Sequence, residues 1–362
     1  MAFAALDSHP LIRFLRDPEC GAAFCVADWE RLLRAARRGY LSSRVACLAQ
    51  RSGLSGRLPE KLGAHLQSAL RVAQSQMVSV NWEVVQIQKA LAGGAIPFVL
   101  LKGAAYIKGQ LDAGHGRLMS DIDIMVPKQR LIEAEKALCD HGWFPTKLDA
   151  YDQRYYREWM HELPPLQHLG RGTTIDVHHT ILPPTALLKP DVSKLWSDVR
   201  PVDGAAGVFV LSPVDMVLHS ATHLFHDGEL EHGLRDLLDM DALIGQFSVQ
   251  PTFLYALLER AVVLDLSRPL YYALKYCRAL LHTKIPDDIF KRVNTFGSRS
   301  AAIRALMDRV VLASIGSILE DSPGKRVQAA QFIMYVRSHY LRMPMTQLLP
   351  HLLRKQFAPS AS

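Results

Sequence analysis

LMSDIDIMV, residues 118–126, sets two carboxylates two positions apart inside an otherwise apolar run. Asp121 and Asp123 alternate with Ile122, Ile124 and Val126, so an extended chain turns both acids to one face. A buried carboxylate without a partner is costly, and two that repel each other cost more. The run predicts a strand with one face in the core and, on the other, a carboxylate pair that needs positive charge from elsewhere.

The flanking sequence builds a sheet around this strand. IPFVLL (96–101) is a short apolar run bounded by Pro and Gly, the pattern of a buried strand. Lys102-Gly103 follows, then a short helical stretch from Ala104 and the loop DAGHG (112–116). Pro127 stops the carboxylate strand, and KQRLIEAEKALCDHG reads as an amphipathic helix closed by Gly142. PPLQHL (164–169) and TTIDVHH (173–179) flank Gly170-Arg171-Gly172, which predicts a β-hairpin. A Pro-rich loop (183–190) and a last strand, GVFVLS, complete this core. Residues 26–92 read as helices, ending in a long segment that stops at Gly93-Gly94, and the chain from Pro213 to about Leu353 is again helical. The pattern gives an α+β chain in three parts: helical 1–92, a mixed-sheet core 93–211, and helical 212–362.

A chain of 362 residues, 49% hydrophobic and 21% charged, buries a sizeable core and is not a disordered one. No run approaches 18 apolar residues, and the first twenty residues lack the apolar stretch of a secretory signal. The five cysteines are scattered and without CxxC spacing, which excludes a disulfide framework or a zinc ribbon and points to the cytoplasm. The net charge of +7 is uneven. Residues 31–61 carry Arg31, Arg34, Arg37, Arg38, Arg44, Arg51, Arg57 and Lys61 against Glu60 alone, and a second basic stretch follows Asp321. Such patches fit an anionic partner or simply solvated helix faces; no aromatic pattern interleaves them as in single-strand nucleic-acid binders. RMPMTQLLPHLLRKQF, near the end, mixes apolar and basic residues, and its prolines favour a docked segment over a membrane-surface helix.

A third acid, Asp176 in TTIDVHH, repeats the local pattern. Two acids on one strand and a third on a neighbour form an oxygen-only cluster suited to Mg²⁺ or Mn²⁺, the ions of in-line phosphoryl displacement. On this reading the missing positive charge is metal. FVLLKGAAYIKGQLDAGHGRLMSDIDIMV followed by TIDVHH resembles the nucleotidyltransferase superfamily that includes DNA polymerase β. The LKG…R…SDIDIMV spelling is similar, more narrowly, to the bacterial proteins called uncharacterised nucleotidyltransferases, some of which accompany exopolysaccharide and exosortase gene clusters. The resemblance spans roughly residues 75–245.

The resemblance implies a polymerase β-like palm with mixed sheet, flanked by N- and C-terminal helical regions. It also implies transfer of a nucleoside monophosphate from NTP to an acceptor hydroxyl or phosphate, releasing pyrophosphate. Asp121, Asp123 and Asp176 would hold the metal, with Asp176 taking the acceptor's proton. Lys102, Gly103, Arg117 and Ser120 would face the nucleotide. The superfamily's Gly-Ser or Gly-Gly turn is here Lys102-Gly103-Ala104, so Lys102 stands where a hydroxyl is absent. The acceptor is left open among small molecule, sugar phosphate, protein and RNA.

His178, two on from Asp176, falls on the carboxylate face. His219, His223 and His226 share one helix stripe, with His219 and His223 expected to line the substrate cleft. Arg235, Asp236 and Asp239 on the next turn read as intrahelical or interhelical pairs, or simply as a solvated helix face. Two rival functions stay open: a non-catalytic nucleotide-binding or antitoxin-like protein of the same fold, and a hydrolase with metal on the three-histidine stripe.

Overall fold

The computed structural model describes residues 6–344 and 346, apart from 55, 147–148, 228–229 and 298–299. Seven strands form one mixed sheet: β1 Phe98–Leu100, β2 Asp121–Met125, β3 Trp143–Pro145, β4 Leu166–His168, β5 Thr174–His178, β6 Arg200–Pro201 and β7 Val208–Val210. Their order is β3-β4-β5-β2-β1-β7-β6. The pairs β2–β5 and β1–β7 are parallel, and the other neighbours are antiparallel.

The apolar alternation in the sequence explains the centre of this order. All three residues of β1 are buried, as a strand covered on both faces requires. In β2 the burial deepens after Asp121, and Ile122 and Ile124 sit in the core. The hairpin read from Gly170-Arg171-Gly172 is present, with Gly172 at φ +70° joining β4 to β5. Its turn is fixed from outside: Arg171 pairs with Glu83 of the helix Glu60–Ala92 at 2.9 Å, and its guanidinium lies over the rings of Trp82 and Trp143. Thr173 Oγ1 donates to the same carboxylate at 2.6 Å.

Two strands, β3 and β6, escaped the sequence reading; at three and two residues they are too short to show a period. A helix Pro10–Arg16 also precedes the helical stretch read from residue 26. The short helix after β1 starts at Lys102, two residues ahead of Ala104. A contiguous core joins the N-terminal helices, the sheet and the C-terminal helices, from Leu11 through Val99 and Ile124 to Met334. Among the described residues no helix is long and apolar enough to cross a membrane. The stretch RMPMTQLLPHLLRKQF lies, beyond its first residues, outside the described ones.

The basic stretch at 31–61 is largely spoken for. Arg34 and Arg38 meet Asp321, Arg51 meets Asp112, and Arg44 is buried against Asp239. The acids absent nearby in sequence arrive through the fold at these four arginines, which leaves a weaker cationic surface than the composition suggests.

Candidate active site

Register places the acids together. In the parallel β2–β5 pair, Asp123 stands opposite Asp176 and Asp121 opposite Thr174. Adjacent strands lie about 4.8 Å apart, and residues at i and i+2 share a face, so Asp121, Asp123 and Asp176 face one cleft. The cleft encloses about 390 Å³ and is also lined by Lys102, Tyr155, Tyr156, His161, Glu162, His178, His219, His223 and Arg342.

Positive charge reaches Asp123 from the protein itself. Lys102 Nζ lies 2.8 Å from Asp123 Oδ1, and His178 Nε2 lies 3.1 Å from the same oxygen. Burial opposes ionisation of Asp123, but the Lys102 ammonium and the His178 hydrogen bond outweigh it and hold the carboxyl well below its usual range. The charge that the sequence reading left to a metal ion is therefore supplied, at this one acid, by lysine and histidine. The lysine is aimed by the backbone: it opens the helix Lys102–Lys108 at φ +45°, a conformation that a residue with a Cβ adopts at a cost of about 1–2 kcal/mol.

Asp176 is in the opposite condition. Burial and the charges of Asp123 and Glu162 push its carboxyl up to about 7. Its Oδ1 is buried without a hydrogen-bond partner. A buried carboxylate oxygen with spare lone pairs, beside two more carboxylates, is a donor set that fits a hard divalent cation. The three aspartates do not close on one point; among the described residues, the donors that come within 4.8 Å of one another are those of His161, Glu162 and His178.

The nucleotide-side residues divide. Gly103 is buried under the turn, where a Cβ would come within 2.5 Å of Met119 Cε and 2.7 Å of Arg117 Nη1. Arg117, read as facing the nucleotide, points away from the cleft: its Nε hydrogen-bonds Asp239 and its Nη2 lies 3.7 Å from Asp236. Arg44 Nη2 meets the other oxygen of Asp239 at 2.7 Å. Arg117 thus braces the turn from below. Of the intrahelical and interhelical pairings left open for Asp236 and Asp239, both occur, Asp236 also meeting Arg235 at 3.2 Å. Ser120 is exposed and donates to Asp121 Oδ1 at 3.3 Å.

His219 and His223 do line the cleft, whereas His226 is buried and does not. Burial, with the charges of Lys102 and His223, holds His219 well below the usual imidazole range, so it is neutral. The stripe therefore does not act as one three-imidazole set. Five polar cleft residues were missed in the sequence: Tyr155, Tyr156, His161, Glu162 and Arg342. The tyrosines belong to a π-helical turn, Tyr155–Trp159, a form frequent at functional sites and without a sequence period of its own.

A family model described as an uncharacterised nucleotidyltransferase matches residues 26–282. The chain belongs to that family. No curated protein and no solved structure matches the chain. The matched region is wider than the sequence resemblance suggested, because it takes in the helices from Val26 and, at the other end, Phe253–Val263 and Ser267–Tyr276. Membership in the uncharacterised nucleotidyltransferase family supports nucleotidyl transfer as the general activity, with NTP as substrate.

Proposed function

We propose that the chain is a Mg²⁺- or Mn²⁺-dependent nucleotidyltransferase that moves a nucleoside monophosphate from NTP to an acceptor hydroxyl or phosphate. The observation that carries this reading is the register of Asp123 against Asp176, with Asp121 on the same face, in a cleft that also presents cations. Asp121, Asp123 and Asp176 would hold the metal, which when bound neutralises triphosphate charge and orients the displacement.

Lys102 and Arg342 supply the protein's own positive charge to the phosphates, and Tyr155 and Tyr156 offer flat faces to a base. The acceptor oxygen forms its bond to the α-phosphorus as the bond to pyrophosphate breaks. When the acceptor is a hydroxyl, its proton goes to the carboxylate of Asp176.

The test is NTP binding and pyrophosphate release with Mg²⁺ or Mn²⁺, across sugar-phosphate, protein and RNA acceptors. Asp121→Asn and Asp176→Asn are expected to abolish metal-dependent NTP binding or turnover while leaving a folded chain. A folded wild type that binds no NTP with either ion would overturn the reading.

A further inference from the structure

One wall of the cleft is a segment that sequence periodicity does not mark. Residues 161–163 run antiparallel past the end of β5, with a bridge between Glu162 and His178. Leu163 N donates to Val177 O and His179 N to His161 O, both at 2.9 Å. These main-chain bonds bring two imidazoles and a carboxylate together. One donor atom from each of His161, Glu162 and His178 lies within 4.8 Å of the others. Both histidines are buried, at 8% and 4% exposure, with ring centres 5.1 Å apart. His178 Nδ1 is 3.3 Å from Glu162 Oε2, while its Nε2 is turned to Asp123.

We propose that His161, Glu162 and His178 form a second cation site, distinct from the three aspartates, that takes a borderline transition-metal ion of the Zn²⁺ class. The donor set decides the ion: two imidazole nitrogens and one carboxylate suit zinc and its neighbours, whereas Mg²⁺ prefers oxygen alone. Tetrahedral ligands at about 2.0–2.2 Å from one ion are about 3.3–3.6 Å apart, so donors that lie within 4.8 Å of one another close by at most about 1.5 Å. Three protein ligands leave a fourth position open toward the cleft. An ion on Nδ1 leaves Nε2–H to donate to Asp123, the carboxylate–imidazole–metal arrangement that fixes a ligand's tautomer and ring plane. The ion thereby pins the segment that follows the Tyr155–Trp159 turn to the end of β5 and links it to Asp123.

The test uses metal alone. Full-length chain stripped with chelator is titrated with Zn²⁺ in excess Mg²⁺, desalted and assayed for bound zinc, with Co²⁺ as the spectroscopic probe. One Zn²⁺ per chain is expected, with the visible absorption of nitrogen-ligated Co²⁺. His161→Ala and Glu162→Gln should each weaken binding by about tenfold or more, because even outer-shell partners are worth that much. Asp121→Asn should retain the zinc. The inference is overturned if no zinc survives desalting, or if folded His161→Ala and Glu162→Gln bind it like wild type. Because no nucleotide is present, failure here leaves nucleotidyl transfer standing, and zinc retention with no NTP binding would sink only that reading.

Discussion

At the scale of single residues, Lys102 and Asp123 each answer for the other. Removing the ammonium leaves a buried carboxylate with His178 still close to it, and removing the carboxylate takes a charged partner from a half-buried ammonium. Asp123→Asn is therefore expected to destabilise the metal-free chain by about 1–3 kcal/mol, the cost of losing a charge-assisted contact. Urea unfolding with chelator present checks this; an unchanged midpoint would mean that Lys102 is solvated elsewhere. Asp176 sets a pH dependence. Folded, its carboxyl keeps its proton up to about 7; unfolded, it releases it near 3.8. Between those values the folded chain holds the extra proton, so stability from this group is full below 3.8 and falls as pH rises toward 7. His178, raised by Asp123 and Glu162 against the effect of burial, acts in the same direction. Buried His9, His179 and His219, held below the usual imidazole range by burial, act the other way. The contribution of Asp176 is therefore read as a difference: in metal-free buffer Asp176→Asn should gain stability over wild type at about pH 7.5 relative to about pH 4.5.

At the scale of elements, alternation carried a good part of the site. The period of two in SDIDIMV and TTIDVHH was enough to read β2 and β5, to put three acids on one face and to add His178 to it. What alternation cannot state is which cation reaches those acids. Lys102 reaches Asp123 because a left-handed residue ends β1 and re-aims its side chain, and nothing in the spelling LKG shows a positive φ. Glu162 was equally silent, since a single bridge has no period. Arg117 was misplaced for a related reason: its partners Asp236 and Asp239 lie over a hundred residues away and meet it only through the fold. The turn above it is correspondingly tight. Gly103→Ala would drive a methyl group into Met119 and Arg117, so NTP affinity and stability should both fall. Asp239→Asn removes the charge shared by two buried guanidinium groups, which keep Asp236 and the carbonyls of Asp112 and Ala113, and should cost about 3–5 kcal/mol. Thermal melts of both variants beside NTP titrations separate the two effects: Asp239→Asn acts first on stability.

At the scale of the whole molecule, the cleft is finished by a residue outside the family match. The helix Lys325–Arg342 lies beyond residue 282, yet its last residue lines the same cleft as the three aspartates. Its end is docked by the main chain: Leu187 N donates to Leu341 O at 2.9 Å, and Thr185 Oγ1 to Arg342 O at 2.7 Å. Arg337, one turn earlier, donates to Phe225 O at 2.7 Å, at the end of the helix that carries His219 and His223. The guanidinium is therefore delivered to the site by a fixed helix. A planar fork suits phosphate oxygens, which Lys102 meets only as a point charge. If Arg342 binds the triphosphate, Arg342→Ala should weaken NTP binding by about 1–3 kcal/mol and leave nucleoside monophosphate binding nearly unchanged. Arg342→Lys should recover part of the loss. Thr185→Val keeps the side chain but removes one of the bonds that dock it, so its effect on NTP should be smaller and of the same sign. Titrations of NTP and NMP into the four proteins at saturating Mg²⁺ decide it. Equal losses for both nucleotides would assign Arg342 to the shape of the cleft and not to phosphate.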